Sequence, residues 1–375
     1  MSIEVPFWFV PAAVMPSLLV AWAVAYLVRR WAPSWGLLDK PGERKVHTTS
    51  TPLGGGLAIW LAVVGPLAVG QLILWLVDSG RLDIGIVPQF ARAHIDGLAQ
   101  QSAALWTVVG AGTVLMLVGL ADDRWGLPWQ LRLGTQFAVA ATCVTWQDWR
   151  LTAFIDIPGV TWLLSVLWIV ALVNAFNMLD NMDGLSSGIA AIASGLLATV
   201  LLTVRAPDAN GPQLFVGGFL LVLVGALVGF LWHNRPVAKL FMGDAGSYFV
   251  GFLIAVMTLL ATFASYGTAA QHAVLAPLCV MAVPLYDMLT VLWIRLREGR
   301  SPFQADKSHF SHRLVELGLT KGQAVLTIYL TTATCGLGAL LLHRVDAIGA
   351  GIILLMVLCV LMLIAILETT GRRNP

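Results

Sequence analysis

Ten uncharged, apolar stretches decide what this chain can fold into. They cover residues 5–28, 53–77, 97–121, 133–147, 157–179, 184–204, 209–232, 245–286, 322–342 and 347–367. A helix needs about 20 apolar residues to cross a bilayer. The stretch 245–286 is long enough for two helices around residues 265–271, and 133–147 is the shortest. Counting both gives about eleven transmembrane helices. The expected fold is therefore all-α and polytopic, one membrane domain over residues 1–375. Composition agrees: 58% of residues are hydrophobic and 11% charged, where a soluble domain carries about 25% charge. A net charge of +2 gives no reason to expect a nucleic-acid partner. The four cysteines all fall inside apolar runs without metal-ligand spacing, so neither a disulfide framework nor a zinc site is indicated.

The basic residues orient the bundle. With the N-terminus outside, seventeen of the 22 Lys and Arg fall in inner loops and five (Arg81, Arg92, Arg150, Arg205 and Arg344) in outer ones, as the positive-inside rule requires. The C-terminus is then cytoplasmic. No basic residue precedes the first apolar run, so an uncleaved first helix is expected rather than a signal peptide. Dropping 133–147 would put the chain's polar clusters on opposite sides. Keeping it gathers them in the inner loops 29–52, 122–132, 174–186, 233–246 and 295–321.

Between two of the apolar runs lies Asn174-Ala-Phe-Asn-Met-Leu-Asp-Asn-Met-Asp-Gly184. Asn174, Asn177, Asp180 and Asp183 recur every third residue and share part of one helix face. Such groups are costly against lipid. They read either as a helix end satisfied by water or as a site for metal and phosphate, since oxygen ligands suit magnesium. Asp122-Asp123 closes the third run, as a membrane-edge marker or as functional acids. Asp244 opens another between Gly243 and Gly246, as a helix cap or beside a ligand that must approach closely. The first inner loop carries Lys45 and His47, then Gly54-Gly-Gly56. Those glycines suit a phosphate cradle and a flexible lead-in to a helix equally well. The long inner loop holds Asp306, His309, His312 and Arg313. Two histidines and one acid make a weak zinc set, whereas imidazole and guanidinium suit phosphate. Asp287, inside an apolar run, is expected to pair with Arg295 or another site residue.

Together these segments resemble the polyprenyl-phosphate N-acetylhexosamine-1-phosphate transferases, the WecA/TagO/MraY family (glycosyltransferase family 4). The resemblance rests on Asp122-Asp123, NAFNMLDNMDG (174–184), FMGDAGS (241–247) and SPFQADKSHFSHRL (301–314), with Gly318-Leu and Gln323-Ala324 following. The forms NAFNM and FMGDAGS are closest to the WecA/TagO-like branch. Such membership implies transfer of a sugar-1-phosphate, N-acetylglucosamine-1-phosphate first among candidates, from a UDP-sugar to undecaprenyl phosphate, releasing UMP. The alternative is the same chemistry on another UDP-N-acetylhexosamine or on UDP-N-acetylmuramoyl-pentapeptide. It further implies a bacterial inner membrane protein, cytoplasmic-face chemistry and Mg2+, with Mn2+ as a substitute. A homodimer is a candidate assembly.

Carried over by position, Asp244 resembles the magnesium ligand and Asp122 and Asp123 the acidic pair near the lipid phosphate. Asn177, Asp180 and Asp183 match the family's polar stretch, and His309 and His312 its histidine loop near the nucleotide. The catalytic candidates are then Asp122, Asp123, Asp180, Asp183 and His309. Candidate substrate ligands are Lys45, His47, Asn174, Asn177, His312 and Arg313. Two residues depart from the pattern. Asn181 stands where glycine is frequent, which suggests positive φ, and Ser311 stands where a further histidine is common. A phosphomonoester has a second pKa of about 6, so the acceptor needs little help from a base. The acidic pair is accordingly expected to position more than to deprotonate, and direct attack by the lipid phosphate is favoured over a covalent aspartyl intermediate. Two other classes weighed against an enzyme are a secondary transporter, which would keep its ionisable groups near the bilayer midplane, and a non-catalytic scaffold, which would not need the motif's acids.

Overall fold

The helix that begins at Gly243 is the most enclosed part of the molecule, and the others are arranged around it. The computed structural model describes residues 5–39, 50–92, 94–151, 155, 157–203, 213–261, 271–304 and 306–371. In chain order the helices are α1 (Phe9–Trp31), α2 (Gly55–Asp78), the one-turn α3 (Gln89–Arg92), α4 (Ile95–Trp125), α5 (Trp129–Gln147), α6 (Pro158–Leu179) and α7 (Leu185–Thr203). They continue with α8 (Leu214–Asn234), α9 (Gly243–Leu260), α10 (Ala276–Val280), α11 (Ala282–Arg297), α12 (Phe310–Glu316), α13 (Lys321–Leu341) and α14 (Ala347–Gly371). The only sheet among the described residues is an antiparallel pair of two-residue strands, Leu38–Asp39 with Thr51–Pro52, joining the end of α1 to the start of α2. The all-α expectation holds.

Helix α9 is 83% buried, against 17% for the apolar stretches of α1 and α14. A helix apolar on nearly every face belongs in the centre of a bundle. It packs on α4, α6 and α2, while α1, α7 and α8 form an adjoining layer. Close approach depends on small residues, as it does between membrane helices generally. Gly225 and Gly229 of α8 lie under the carbonyls of Val14 and Leu18 in α1. A Cβ on Gly56 of α2 would sit 2.3 Å from the Gly246 amide of α9, and one on Gly119 of α4 would sit 2.4 Å from the Asp244 carbonyl.

Among the described residues nine helices are long and apolar enough to cross a membrane, or ten if α10 and α11 form one span. The segments around that joint are bent by 63°. Pro284 in the first turn of α11 accounts for the break, because it has no N–H to return to residue 280. The other expected crossing, α5, is not among these helices. Gln130, Arg132, Gln136 and Gln147 make it too polar, although 19 residues reach about 28 Å at 1.5 Å each.

Helix ends meet at one end of the bundle. The amides of Gly55 and Gly56 donate to the carbonyls of Phe241 and Met242, at 2.9 and 3.0 Å. The Gly184 amide donates to Asn234 Oδ1 at the end of α8, at 3.1 Å, and Tyr329 of α13 donates to the Gly184 carbonyl. Arg313 of α12 meets Glu368 of α14 at 3.0 Å. All the inner-loop motifs that the structure describes lie at this end. Lys45 and His47 lie outside the described residues.

These contacts make a test of the core. Gly119→Ala should destabilise the protein by about 1–3 kcal/mol, the usual cost of overpacking, and should displace the backbone of Asp244. Gly110→Ala on the same helix, with open space around it, should leave the melting temperature unchanged. Equal melting temperatures for the two variants would contradict the packing.

Candidate active site

The first turn of α9 has backbone amides with no partner inside the helix, and it is buried. Asp123, at the end of α4, supplies the acceptors: Oδ1 takes the Asp244 amide at 2.8 Å and Oδ2 the Ala245 amide at 3.2 Å. Asp180, just after α6, takes the Gly243 amide at 3.1 Å. Gly243 has φ +71°, and a Cβ there would stand 2.5 Å from Asp123 Oδ2. Only glycine allows the two to approach so closely, which explains the residue ahead of Asp244.

The Asp244 carboxylate is thereby aimed along the helix end. Its Oδ1 accepts from Asn177 Nδ2 at 2.7 Å, while Asn177 also reaches Ser247 at 3.0 Å. Its Oδ2 lies 3.4 Å from both Arg132 Nη1 and the Tyr248 hydroxyl. Arg132 Nη1 donates in turn to Asp122 Oδ2 at 2.6 Å, and the Leu127 amide donates to Asp122 Oδ1 at 2.6 Å. One guanidinium thus contacts two members of a group of four carboxylates. Desolvation at this floor, and then the Asp123 charge, push Asp180 up to about 7.

Above the acids opens a cleft of about 570 Å³. Arg132, Asn174, Asn177, Asp180, Asp244 and His309 line its polar part; Leu133, Leu167, Val170, Ala171, Met288 and Leu292 line an apolar wall between α5, α6 and α11. Asn174 is held by Gln136 at 2.6 Å. Trp129 and Phe303 stack at the rim, 3.9 Å apart and nearly parallel. The loop carrying Phe303 is anchored by Asp306, which pairs with Arg295 at 3.2 Å and Arg300 at 2.7 Å. Desolvation works against it, but Arg295 and the Ser308 amide hold Asp306 well below the usual carboxylate range. Asp287 is fully buried and pairs with His309, at 2.9 Å, rather than with Arg295.

The structure therefore brings Asp122, Asp123, Asn174, Asn177, Asp180, Asp244 and His309 into one region. Three other candidates are held elsewhere. Asp183 accepts the Ala238 amide at 3.0 Å. Arg313 is buried and engaged by Glu368, Thr290 and the Ser308 carbonyl. The His312 ring lies 6.3 Å from that of His309 but does not line the cleft.

Asn181 does not have positive φ; among described non-glycine residues only Asp148 does. Its side chain instead binds the Met178 carbonyl at 2.7 Å and accepts from Ser311 at 2.5 Å. The two departures from the family pattern are thus bonded to each other across 130 positions. Sequence reasoning overlooked Arg132, Gln136 and Tyr248 as site residues, and Glu368 as the partner of Arg313. Arg132 had one available signal, a lone charge in the first turn of an otherwise uncharged helix. Nothing local links Glu368 to Arg313.

Comparison with known proteins supports what the geometry shows. The sequence profile of Glycosyl transferase family 4 matches residues 105–262, which include the acidic pair and Asp244. A decaprenyl-phosphate N-acetylglucosaminephosphotransferase of Mycobacterium tuberculosis (strain ATCC 25618 / H37Rv) is 34% identical over 332 residues, covering 83% of this chain and 77% of its own. The chain belongs to glycosyl transferase family 4. Two further relatives are both named undecaprenyl-phosphate alpha-N-acetylglucosaminyl 1-phosphate transferase. That of Yersinia pestis is 28% identical over 92% of this chain and 87% of its own. That of Escherichia coli (strain K12) is 27% identical over 82% of this chain and 77% of its own. The matched residues run from α4 through α9 and include the acids and Arg132, whereas His309, Phe303 and the α11 part of the cleft lie beyond them.

One pH effect follows from the histidine helix. Burial, and then His309 and Lys307, push His312 down to about 4. The unfolded chain takes up that proton near pH 6.5, so between about 6.5 and 4 the unfolded state binds more protons and stability falls as pH falls. His312→Gln removes this contribution. Its melting temperature should decline less steeply than the parent's over that window, and parallel declines would refute a buried neutral His312.

Proposed function

We propose that this chain transfers N-acetylglucosamine-1-phosphate from its UDP derivative to undecaprenyl phosphate, releasing UMP. The observation that carries the reading is the two-sided cleft, in which a carboxylate group with one arginine adjoins an apolar wall between helices. A polyprenyl chain suits the wall, and its phosphate reaches the polar end beside Arg132. The relatives' names give a polyprenyl phosphate and an N-acetylglucosamine phosphate as their substrates. In the reaction an oxygen of the lipid phosphate bonds to the sugar-bearing phosphorus, and the P–O bond to UMP breaks. Phosphoryl transfer of this kind needs positioning and charge neutralisation more than covalent machinery.

The donor set fits a magnesium ion. Among the described residues no three His, Cys, Asp or Glu form a closed cage. Magnesium, however, commonly takes one or two protein carboxylates and completes its shell with phosphate oxygens and water. Asp244, which lines the cleft, would hold the ion, and the excess of negative charge over Arg132 favours a cation there. When bound, the ion would offset the diphosphate charge and ease departure of UMP.

The protein's own groups do the rest. Asn177 orients Asp244, Asp123 fixes the backbone beneath it, and Arg132 draws the acceptor phosphate in. Both oxygens of Asp123 are spent on amides, and those of Asp122 on an amide and a guanidinium, which supports positioning over proton removal. His309 faces the donor from the opposite wall. An acceptor phosphate already largely dianionic at neutral pH needs no dedicated base.

The proposed topology places the N-terminus outside, the C-terminus inside and the cleft on the cytoplasmic face of the bacterial inner membrane. Helix α4 ends and α5 begins at the cleft, and α6 returns to it, so α5 must traverse the same thickness as its neighbours. Counting it and the bent pair gives eleven crossings. Single cysteines at the exposed positions Ser79 and Ser301, on a cysteine-free background, should label from opposite sides. Labelling of both from outside intact cells would overturn the map.

The function itself is tested with purified protein, undecaprenyl phosphate, magnesium and a panel of UDP-sugars, with the lipid product identified by mass. Asp244→Asn keeps shape but removes the charge the ion needs. Turnover should fall by about 100-fold or more, as for loss of a principal electrostatic group, with melting temperature little changed. Near-normal turnover at ordinary magnesium would shift the ion toward Asp180.

A further inference from the structure

The histidine that faces the cleft is held from behind by a residue the reaction scheme does not use. Asp287 lies in α11, fully buried. Its Oδ2 is 2.9 Å from His309 Nδ1, and its Oδ1 accepts the Phe310 amide at 2.6 Å. One carboxylate therefore fixes both the ring of His309 and the start of the helix that follows it. An ionised carboxylate can only accept, so Nδ1 carries the proton in this pair. The other nitrogen, Nε2, belongs to a side chain that lines the cleft with Asp244 and Arg132.

Among the described residues, Arg295 and Arg313 are engaged away from Asp287. Arg295, on the same helix, is taken by Asp306 and the Pro302 carbonyl. Arg313 is taken by Glu368 and Thr290. A buried carboxylate is tolerated when its lone pairs are matched, and here one imidazole and one amide match them. If Asp287 served only to cap α12, the amide contact would suffice and the His309 ring would be free to turn. Its 2.9 Å bond to Asp287 prevents that.

We propose that Asp287 is a positioning residue that pins the His309 Nδ1–H and so presents Nε2, and no other imidazole nitrogen, to the phosphates in the cleft. This rests on the transferase reading above. An orienting group behind a reacting imidazole fixes its tautomer as well as its direction. Asp287 contacts the His309 ring from α11 and the His312 ring lies 6.3 Å away; the charged groups that share the cleft with it are Arg132, Asp180, Asp244, Arg295 and Asp306.

A double-mutant cycle separates positioning from plain structural support. Asp287→Asn can donate to Nδ1 and stabilise the opposite tautomer. It should lower kcat by about 10–100-fold, the usual effect of losing an orienting partner, with KM for undecaprenyl phosphate unchanged. Asp287→Glu retains the carboxylate and should recover part of the rate. In a His309→Gln background, Asp287→Asn should cost less than about twofold more, because residues acting as one unit are non-additive. An equal fold loss in the parent and His309→Gln backgrounds would overturn the proposal, as would a fully active His309→Gln enzyme. If Asp287→Asn fails to fold, the same cycle is run with Asp287→Glu and decides in the same way. A parent enzyme that forms no lipid-linked product refutes the transferase reading itself, an outcome distinct from either.

Discussion

The Asp123 carboxylate accepts two backbone amides from the first turn of a helix that is buried on almost every side. Buried amides left without acceptors cost about 1–3 kcal/mol each, so the central helix depends on this contact to begin where it does. The positive end of a helix also favours an acid beside it. Around that point the other residues fall into place. Gly243 and Gly119 leave room for the approach, and Asp180 takes the remaining amide. Asp244 is left with its carboxylate pointing outward from a fixed backbone, between Asn177 and Arg132.

A second constraint comes from the solubility of the substrates proposed here. A nucleotide sugar arrives from water and a polyprenyl phosphate stays in lipid. The cleft suits both because its polar and apolar linings come from the same helices at different depths. On α6, Asn177 and Asn174 lie toward the end of the helix, with Val170 and Leu167 one and two turns further in. On α5 and α11, Leu133, Met288 and Leu292 complete the apolar wall. The break at Pro284 sets the direction of α11, so that it approaches α6 closely enough to form that wall and to bring Asp287 under His309.

Much of this could be read directly from the chain. Runs of about 20 uncharged residues admit few alternatives to membrane helices, and the bias of Lys and Arg toward one set of loops gives the orientation proposed for them. The acids are readable for the same reason: Asp122, Asp123, Asp180 and Asp244 stand at the ends of apolar runs, where each is costly unless it has a task. Harder to read were residues whose meaning lies in a distant partner. Arg132 looked like a topology charge until Asp122 and Asp244 appeared beside it. Arg313 looked like a phosphate ligand, yet its guanidinium is spent on Glu368 near the other end of the sequence. Asn181 looked like a substitute for glycine at positive φ, whereas its side chain instead accepts a hydrogen bond from Ser311.

Hydrophobic length and the spacing of short polar motifs are local properties, so the sequence by itself determined the fold class and most of the acids that converge. Which carboxylate faces a ligand and which merely holds an amide is a different kind of question. Asp123, Asp183 and Asp244 are alike as residues; two are occupied by backbone N–H groups and one is aimed into the cleft. Only the tertiary structure decided that, because a buried carboxylate takes its role from the donors packed against it, and those donors come from helices far apart along the chain.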